Sequence, residues 1–273
     1  MPAKSQKELA FLHDLYVATD WGERFVELVD EHVKLPKEGR ALYVAAATGG
    51  HALAVQERAG KKLKLVCVDE DDECLELARA KGKALGQQAE FQREDLTALS
   101  FPGEQFDSVL GDASLSPAID VRQMLREMAR VAKPGATIAL WLATAFSFGE
   151  FFSIFWEAMH RSGLEDQSLA VQDLITELPT VSQVEEWYKR EALEDISSHV
   201  VTQEFEFESG EHFVSSPLIA DFLMPKWLRP VPKAAQARVV QELGRIIDEE
   251  RHDGKFTLSV KATLVVGKKR RVG

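Results

Sequence analysis

The chain contains a run of small residues, Val44-Ala45-Ala46-Ala47-Thr48-Gly49-Gly50, and an acid, Asp69, twenty positions beyond Gly49. Small side chains let backbone amides approach a ligand closely, and at a helix start those amides favour an anion or a polar nucleoside group. A carboxylate spaced like Asp69 can accept hydrogen bonds from both hydroxyls of a ribose. The plainer reading is a tight strand-to-helix turn followed by an acid, within Asp69 to Asp72, that caps the next helix. Asp95, in Arg93-Glu94-Asp95-Leu96, can accept from an adenine amino group or sit as a solvated turn residue. Asp112 is expected at the same edge, whereas Asp107 opens its strand at the far end and reads as structural. His51, directly after Gly50, is a candidate base; its plainer reading is a partly exposed first-turn residue. Glu157 and His160, three apart, are too few for a metal site.

These residues need elements to position them. Gln6 to Val33 shows apolar positions at three- and four-residue steps and reads as helix, with Trp21-Gly22 a candidate break. Short apolar runs then alternate with helical stretches. Strands are expected at 41–46, 63–68, 89–93, 106–110 and 137–142, and helices at 51–59, 72–85 and 118–131. The third and fourth strands have only a short connection. Lys133-Pro134-Gly135 reads as a stop. Alternation of this kind implies a parallel sheet covered on both faces, with ligands at the carboxyl ends of its strands. Beyond Phe148, helices are expected at 151–162, 181–193, 216–228 and 233–251, and strands at 200–207 and 256–266. The fold expected is a doubly wound α/β domain with a seven-stranded, mostly parallel sheet and a helical cap or lid. Its divisions are a cap over 1–38 and the α/β domain over 39–273, with lid segments within 146–252.

Composition narrows the function classes. The 273 residues carry a formal net charge of −11, which disfavours broad nucleic-acid binding. Two cysteines, Cys67 and Cys74, exclude a disulfide framework and suit a reducing, cytoplasmic setting. No apolar stretch is long enough to span a bilayer. Aromatic residues crowd two segments, Phe146 to Trp156 and Phe213 to Trp227. They suit an apolar acceptor pocket, a lid core or a homodimer patch. The basic tail Lys268 to Arg271 reads as a solvated end.

Val68-Asp69 with Leu75-Glu76-Leu77-Ala78-Arg79, then Asp95, then Arg130-Val131-Ala132-Lys133-Pro134-Gly135, then Leu264-Val265-Val266-Gly267-Lys268 form a series in order and spacing. The series resembles the class I S-adenosylmethionine-dependent methyltransferases, nearest the ubiquinone/menaquinone-biosynthesis type, over roughly residues 40 to 142. The resemblance implies S-adenosyl-L-methionine as cofactor, S-adenosyl-L-homocysteine as product and a small-molecule acceptor. It places the cofactor against Ala45, Ala47, Thr48, Gly49, Asp69, Glu70, Asp95, Leu96 and Asp112. Asp112, His51 and Tyr16 are candidate catalytic residues. Tyr16 sits on a helix that resembles the family's cap, or is a core residue of that helix. One departure stands out: an acid and three alternate glycines in the family are here Tyr43, Ala45, Ala47 and Gly49. Alanine can adopt the turn if φ stays negative. The departure supports an alternative, a binding or regulatory module that kept the fold without the chemistry. An NAD-dependent oxidoreductase suits the Gly49–Asp69 spacing alone.

Overall fold

The computed structural model describes residues 4–250 and 254–271. Ser5 caps α1 (Gln6–Leu12) through a reciprocal pair of bonds with Glu8, as a Ser with Glu three residues on should. The helix does not break at Gly22. It widens to π-helical bonding over His13–Gly22 and continues as α2 (Glu23–His32). A sheet follows: β1 (Gly39–Val44), α3 (Gly50–Ala59), β2 (Leu63–Asp69), α4 (Asp72–Ala84), β3 (Glu90–Arg93), β4 (Phe106–Asp112), α5 (Ala118–Val131) and β5 (Ala132–Ala143). The rest comprises α6 (Gly149–Arg161), α7 (Ser168–Glu177), α8 (Val181–Arg190), β6 (Leu193–Phe207) and α9 (Gly210–Ser215). A π-helical turn (Leu218–Leu223), α10 (Met224–Trp227), α11 (Lys233–Glu250) and β7 (Phe256–Lys269) complete it.

The seven strands lie in the order β3-β2-β1-β4-β5-β7-β6, and the pairs from β3 through β5 are parallel. The order reverses between β1 and β4, which opens a crevice at their carboxyl ends. Strand periodicity divides β1: Leu42 and Val44 join one core layer with α5 and α8, while Tyr43 points to the opposite face. Helix α5 stops at Val131, just before Lys133-Pro134-Gly135, as expected. The Lys133-Pro134-Gly135 stretch itself lies within β5, where the register shifts between Phe106↔Ala132 and Ser108↔Thr137 and absorbs the extra residues as a bulge. The same stretch braces the loop before β4. Arg130 donates to the carbonyls of Phe101 and Leu99 and pairs with Glu127, whose carboxylate accepts the Leu99 amide. Lys133 pairs with Asp107. The basic tail is solvent-exposed at Lys268, Arg270 and Arg271, as expected, yet it is also paired: Lys268 and Arg270 meet Asp195 and Glu194, and Lys269 donates to the Ala132 carbonyl.

The chain forms two compact units. The first comprises Met1–Leu142, Thr180–Val200 and Ala262–Gly273, so the N-terminal helices fall with the sheet. The second comprises Ala143–Pro179 and Val201–Lys261, which takes in most of the expected lid segments. The aromatic residues of the second unit fill its own core. Phe151 stacks on Trp227 with centroids 3.9 Å apart and on Phe155 at 5.3 Å, and Phe213 packs beside them. Gly210 lets α9 and α11 meet, since a Cβ there would stand 1.9 Å from the Gly244 carbonyl oxygen. Of the readings open for these rings, a core is therefore the one most of them meet, although Phe146 stays 86% exposed and Trp156 48%. Both cysteines are buried and free. Among the described residues, no helix is long and apolar enough to cross a membrane.

Candidate functional site

The small-residue run becomes the loop from β1 into α3. Its backbone turns left-handed at three alternate positions: Ala45 (φ 58°), Ala47 (φ 44°) and Gly49 (φ 76°). The condition under which alanine would make the turn freely, a negative φ, is not met. The loop follows a path that glycine favours, at a cost that the two alanines bear. Long-range bonds hold it there. The Ala46 amide donates to the Val68 carbonyl at 3.0 Å, and the Ala47 amide to Asp69 Oδ2 at 2.7 Å. Gly49 is required twice over: by its φ, and because a Cβ would stand 2.8 Å from the Ala78 Cβ and 3.0 Å from the Phe91 ring.

Asp69 ends β2. Its Oδ2 accepts from Ala47 and its Oδ1 from the Asp71 amide at 3.0 Å. It is not the helix cap; Asp71 is, accepting from the Glu73 and Cys74 amides. Each Asp69 oxygen has a second acceptor site, so the pair still matches a ribose diol. Burial raises its carboxyl above the ordinary value, and the Asp71 and Ala47 amides pull the other way. Beside it, Glu70 Oε1 accepts the Leu96 amide at 3.2 Å. Asp95 is exposed and forms a turn with Thr97, accepting from its amide and hydroxyl through one oxygen. Asp112 ends β4, where its Oδ1 accepts the Ser114 amide at 2.9 Å. Burial raises the Asp112 carboxyl, against the bond from Ser114 and the charge of His51.

Two connections escaped the sequence reading. First, the N-terminal helix is pinned onto the loops at this edge. Thr48 Oγ1 donates to Asp14 Oδ1 at 2.7 Å, Lys81 bonds both Asp14 and the Thr48 carbonyl, and Trp21 Nε1 donates to Ser114 Oγ at 3.0 Å. Burial opposes charge on Asp14, but the bonds from Lys81 and Thr48 prevail and its carboxyl titrates low. Second, Tyr43 Oη lies 2.8 Å from His51 Nδ1, His51 Nε2 lies 2.9 Å from Asp30 Oδ1, and Arg58 pairs with the same carboxylate. The Asp30 carboxylate only accepts, so Nε2–H donates and, in a neutral ring, Nδ1 accepts the Tyr43 hydroxyl proton. Burial, then the Asp112 charge, raises the Tyr43 phenol well above its usual value, so it stays a donor. His51 is a partly exposed first-turn residue of α3, as its plainer reading has it, but both of its ring nitrogens are engaged. The eight-residue spacing of Tyr43 and His51 was the one local signal for this chain of bonds. Tyr16 is 53% exposed and lies outside the core.

A sequence profile of the methyltransferase-domain family matches residues 41–135. A demethylmenaquinone methyltransferase from Thermus thermophilus is 35% identical over 120 residues, 44% of this chain and 52% of that protein. The chain therefore spans about half the length of this relative. The crystal structure of the YcgJ protein from Bacillus subtilis superposes with a TM-score of 0.60 at 19% identity, covering 92% of this chain and 100% of that one. The cyclase SpnF superposes with a TM-score of 0.54 at 18% identity, covering 93% and 83%. Both likenesses are of fold.

Proposed function

We propose that this chain, which belongs to the class I S-adenosylmethionine-dependent methyltransferases, holds S-adenosyl-L-methionine in the crevice between β1 and β4 and methylates a small molecule there. The observation that carries this reading is the loop. Its three left-handed residues and the Ala47–Asp69 bond keep the backbone path of a glycine-rich nucleoside loop even where glycine is absent. The donor set agrees. Asp69 faces the ribose hydroxyls, and Asp95 suits the adenine amino group. Ala45, Ala47, Thr48 and Gly49 supply close backbone, and Glu70 and Leu96 flank the nucleoside. Tyr43 stands where relatives of this type carry an acid. Asp112 is near enough to raise the Tyr43 phenol, so a carboxylate is still present beside that position. We assign Asp112 to the positive methionine end of the cofactor.

The chemistry supplied by bound S-adenosylmethionine is in-line displacement of a methyl group from sulfonium, with S-adenosylhomocysteine as product. The protein's part is alignment and the exclusion of water. The helix carrying Asp14 and Trp21 covers the crevice edge and serves both. With its ring nitrogens engaged, His51 is a positioning residue that sets Tyr43 under the loop.

Thermal unfolding in the presence of S-adenosylmethionine, S-adenosylhomocysteine or NAD tests this. Ligand at 100 times its dissociation constant adds about 2.7 kcal/mol, a shift of roughly 5–10 °C for a chain of this size. A shift with the first two alone supports the proposal. No shift with either refutes it and leaves the second reading, a module that keeps the fold without methyl transfer. The alanine methyls in the loop and the loss of the acid at position 43 favour that second reading. SpnF, described as a cyclase, shows that one neighbour of this fold is named for other chemistry.

A further inference from the structure

A cavity of about 450 Å³ lies between α2, the linker into β1 and the end of α3. That volume is in the range of small-molecule sites. Its lining includes none of residues 45–49, nor Asp69, Asp95 or Asp112, so it is distinct from the loop site described above. Its walls are largely apolar: Val33, Leu35, Pro36, Val55 and Leu110. The polar part of its lining is mainly cationic, with Lys34, Lys37 and Arg58 against the single acid Asp30. Arg58 already neutralises Asp30. Lys34 and Lys37 are exposed and make no hydrogen bond or ion pair among the described residues. The positive charge continues along this end of the sheet, where Arg40 of β1 stands beside Lys64 of β2 and Lys61 and Lys62 precede it. In a chain of net charge −11, this is a local reversal of sign.

An apolar pocket with unpaired cations at its mouth matches one ligand chemistry. The apolar body replaces water on the walls, and the head group is a single anion that the two lysines attract. A cationic amphiphile meets like charge, and a neutral one leaves the lysines unused. We propose that this cavity is a second ligand site, for a small apolar carboxylic acid, independent of the methyl-transfer reading.

Titration calorimetry of the full chain with octanoate, octanol and octyltrimethylammonium tests it. Octanoate is expected to bind saturably with one site per chain, octanol ~10-fold more weakly, and the cation not at all. Lys34→Glu/Lys37→Glu, at two exposed positions, should weaken octanoate ~10-fold and leave octanol unchanged. Ala59→Trp, which puts a ring into the cavity wall, should weaken both. Circular dichroism reports whether that variant folds, and the lysine pair tests the head group without it. No saturable octanoate binding at millimolar concentration overturns the proposal. So does octanol binding as tightly as octanoate, or a lysine pair that changes nothing. Binding to vesicles of anionic lipid with none to free octanoate overturns it in favour of a membrane surface.

Discussion

Replacing Ala45 and Ala47 together by glycine should stabilise the protein. Both residues hold a left-handed backbone, at φ 58° and 44°. That conformation costs a residue with a Cβ roughly 1–2 kcal/mol. Glycine removes the cost but frees the unfolded chain, which takes back about 0.4–1 kcal/mol. Taken at mid-range, the net gain is about 0.8 kcal/mol per position, or about 1.6 kcal/mol for the pair. Each kcal/mol moves the melting temperature of a chain this long by about 2–4 °C, so the double variant should melt about 3–6 °C higher. Ala46 lies between them without a positive φ and serves as the control. Ala46→Gly should lower stability by about 0.4–1 kcal/mol. Calorimetric melting of the three proteins decides the matter. If the double variant melts at or below the parent temperature, or the control gains as much, the alanines carry no strain and the reasoning is wrong.

Tyr43→Phe removes the buried bond to His51 and should cost about 0.5–1.5 kcal/mol in urea unfolding, with the fold retained. Arg130→Ala frees the Leu99 and Phe101 carbonyls and leaves Glu127 without its partner. A loss of roughly 1.5–3 kcal/mol is expected, together with faster amide exchange at the loop before β4, Leu99 included. Burial lowers the His13 imidazole from 6.5 to about 4. Between those values the unfolded chain binds the extra proton, so stability should rise with pH across that window and be complete above 6.5. His13→Gln should flatten that rise when unfolding is compared at several pH values.

Strands β1, β2, β4 and β5 and helices α3 to α5 were legible because each carries a dense apolar run or stripe bounded by turn residues, a local property. The N-terminal end of β6 was not. Leu193-Glu194-Asp195-Ile196-Ser197-Ser198-His199 is mostly polar, as suits the last strand of the sheet, and nothing local marks it as strand. The π-helical bonding over His13–Gly22 leaves the apolar spacing of a helix nearly unchanged, so it too was hidden. Asp69 was found through its spacing from Gly49. Asp14, Asp30 and Lys81 were missed because their partners lie far off in sequence: Thr48, His51 and Asp14 itself. The conformation of Ala45 and Ala47 is likewise dictated from β2, against their own preference.

Strand order also bears on how the chain is made. β7 is the last strand in sequence, yet it lies inside the sheet, between β5 and β6. During synthesis β5 emerges with one edge open, and β6 follows with no neighbour it will keep. Both wait until residues 256–269 leave the ribosome. Through that interval the half-built sheet shows unpaired backbone that another nascent chain can join. Residues 256–269 therefore close the sheet as an interior strand, and loss of that stretch would leave β6 without its neighbour.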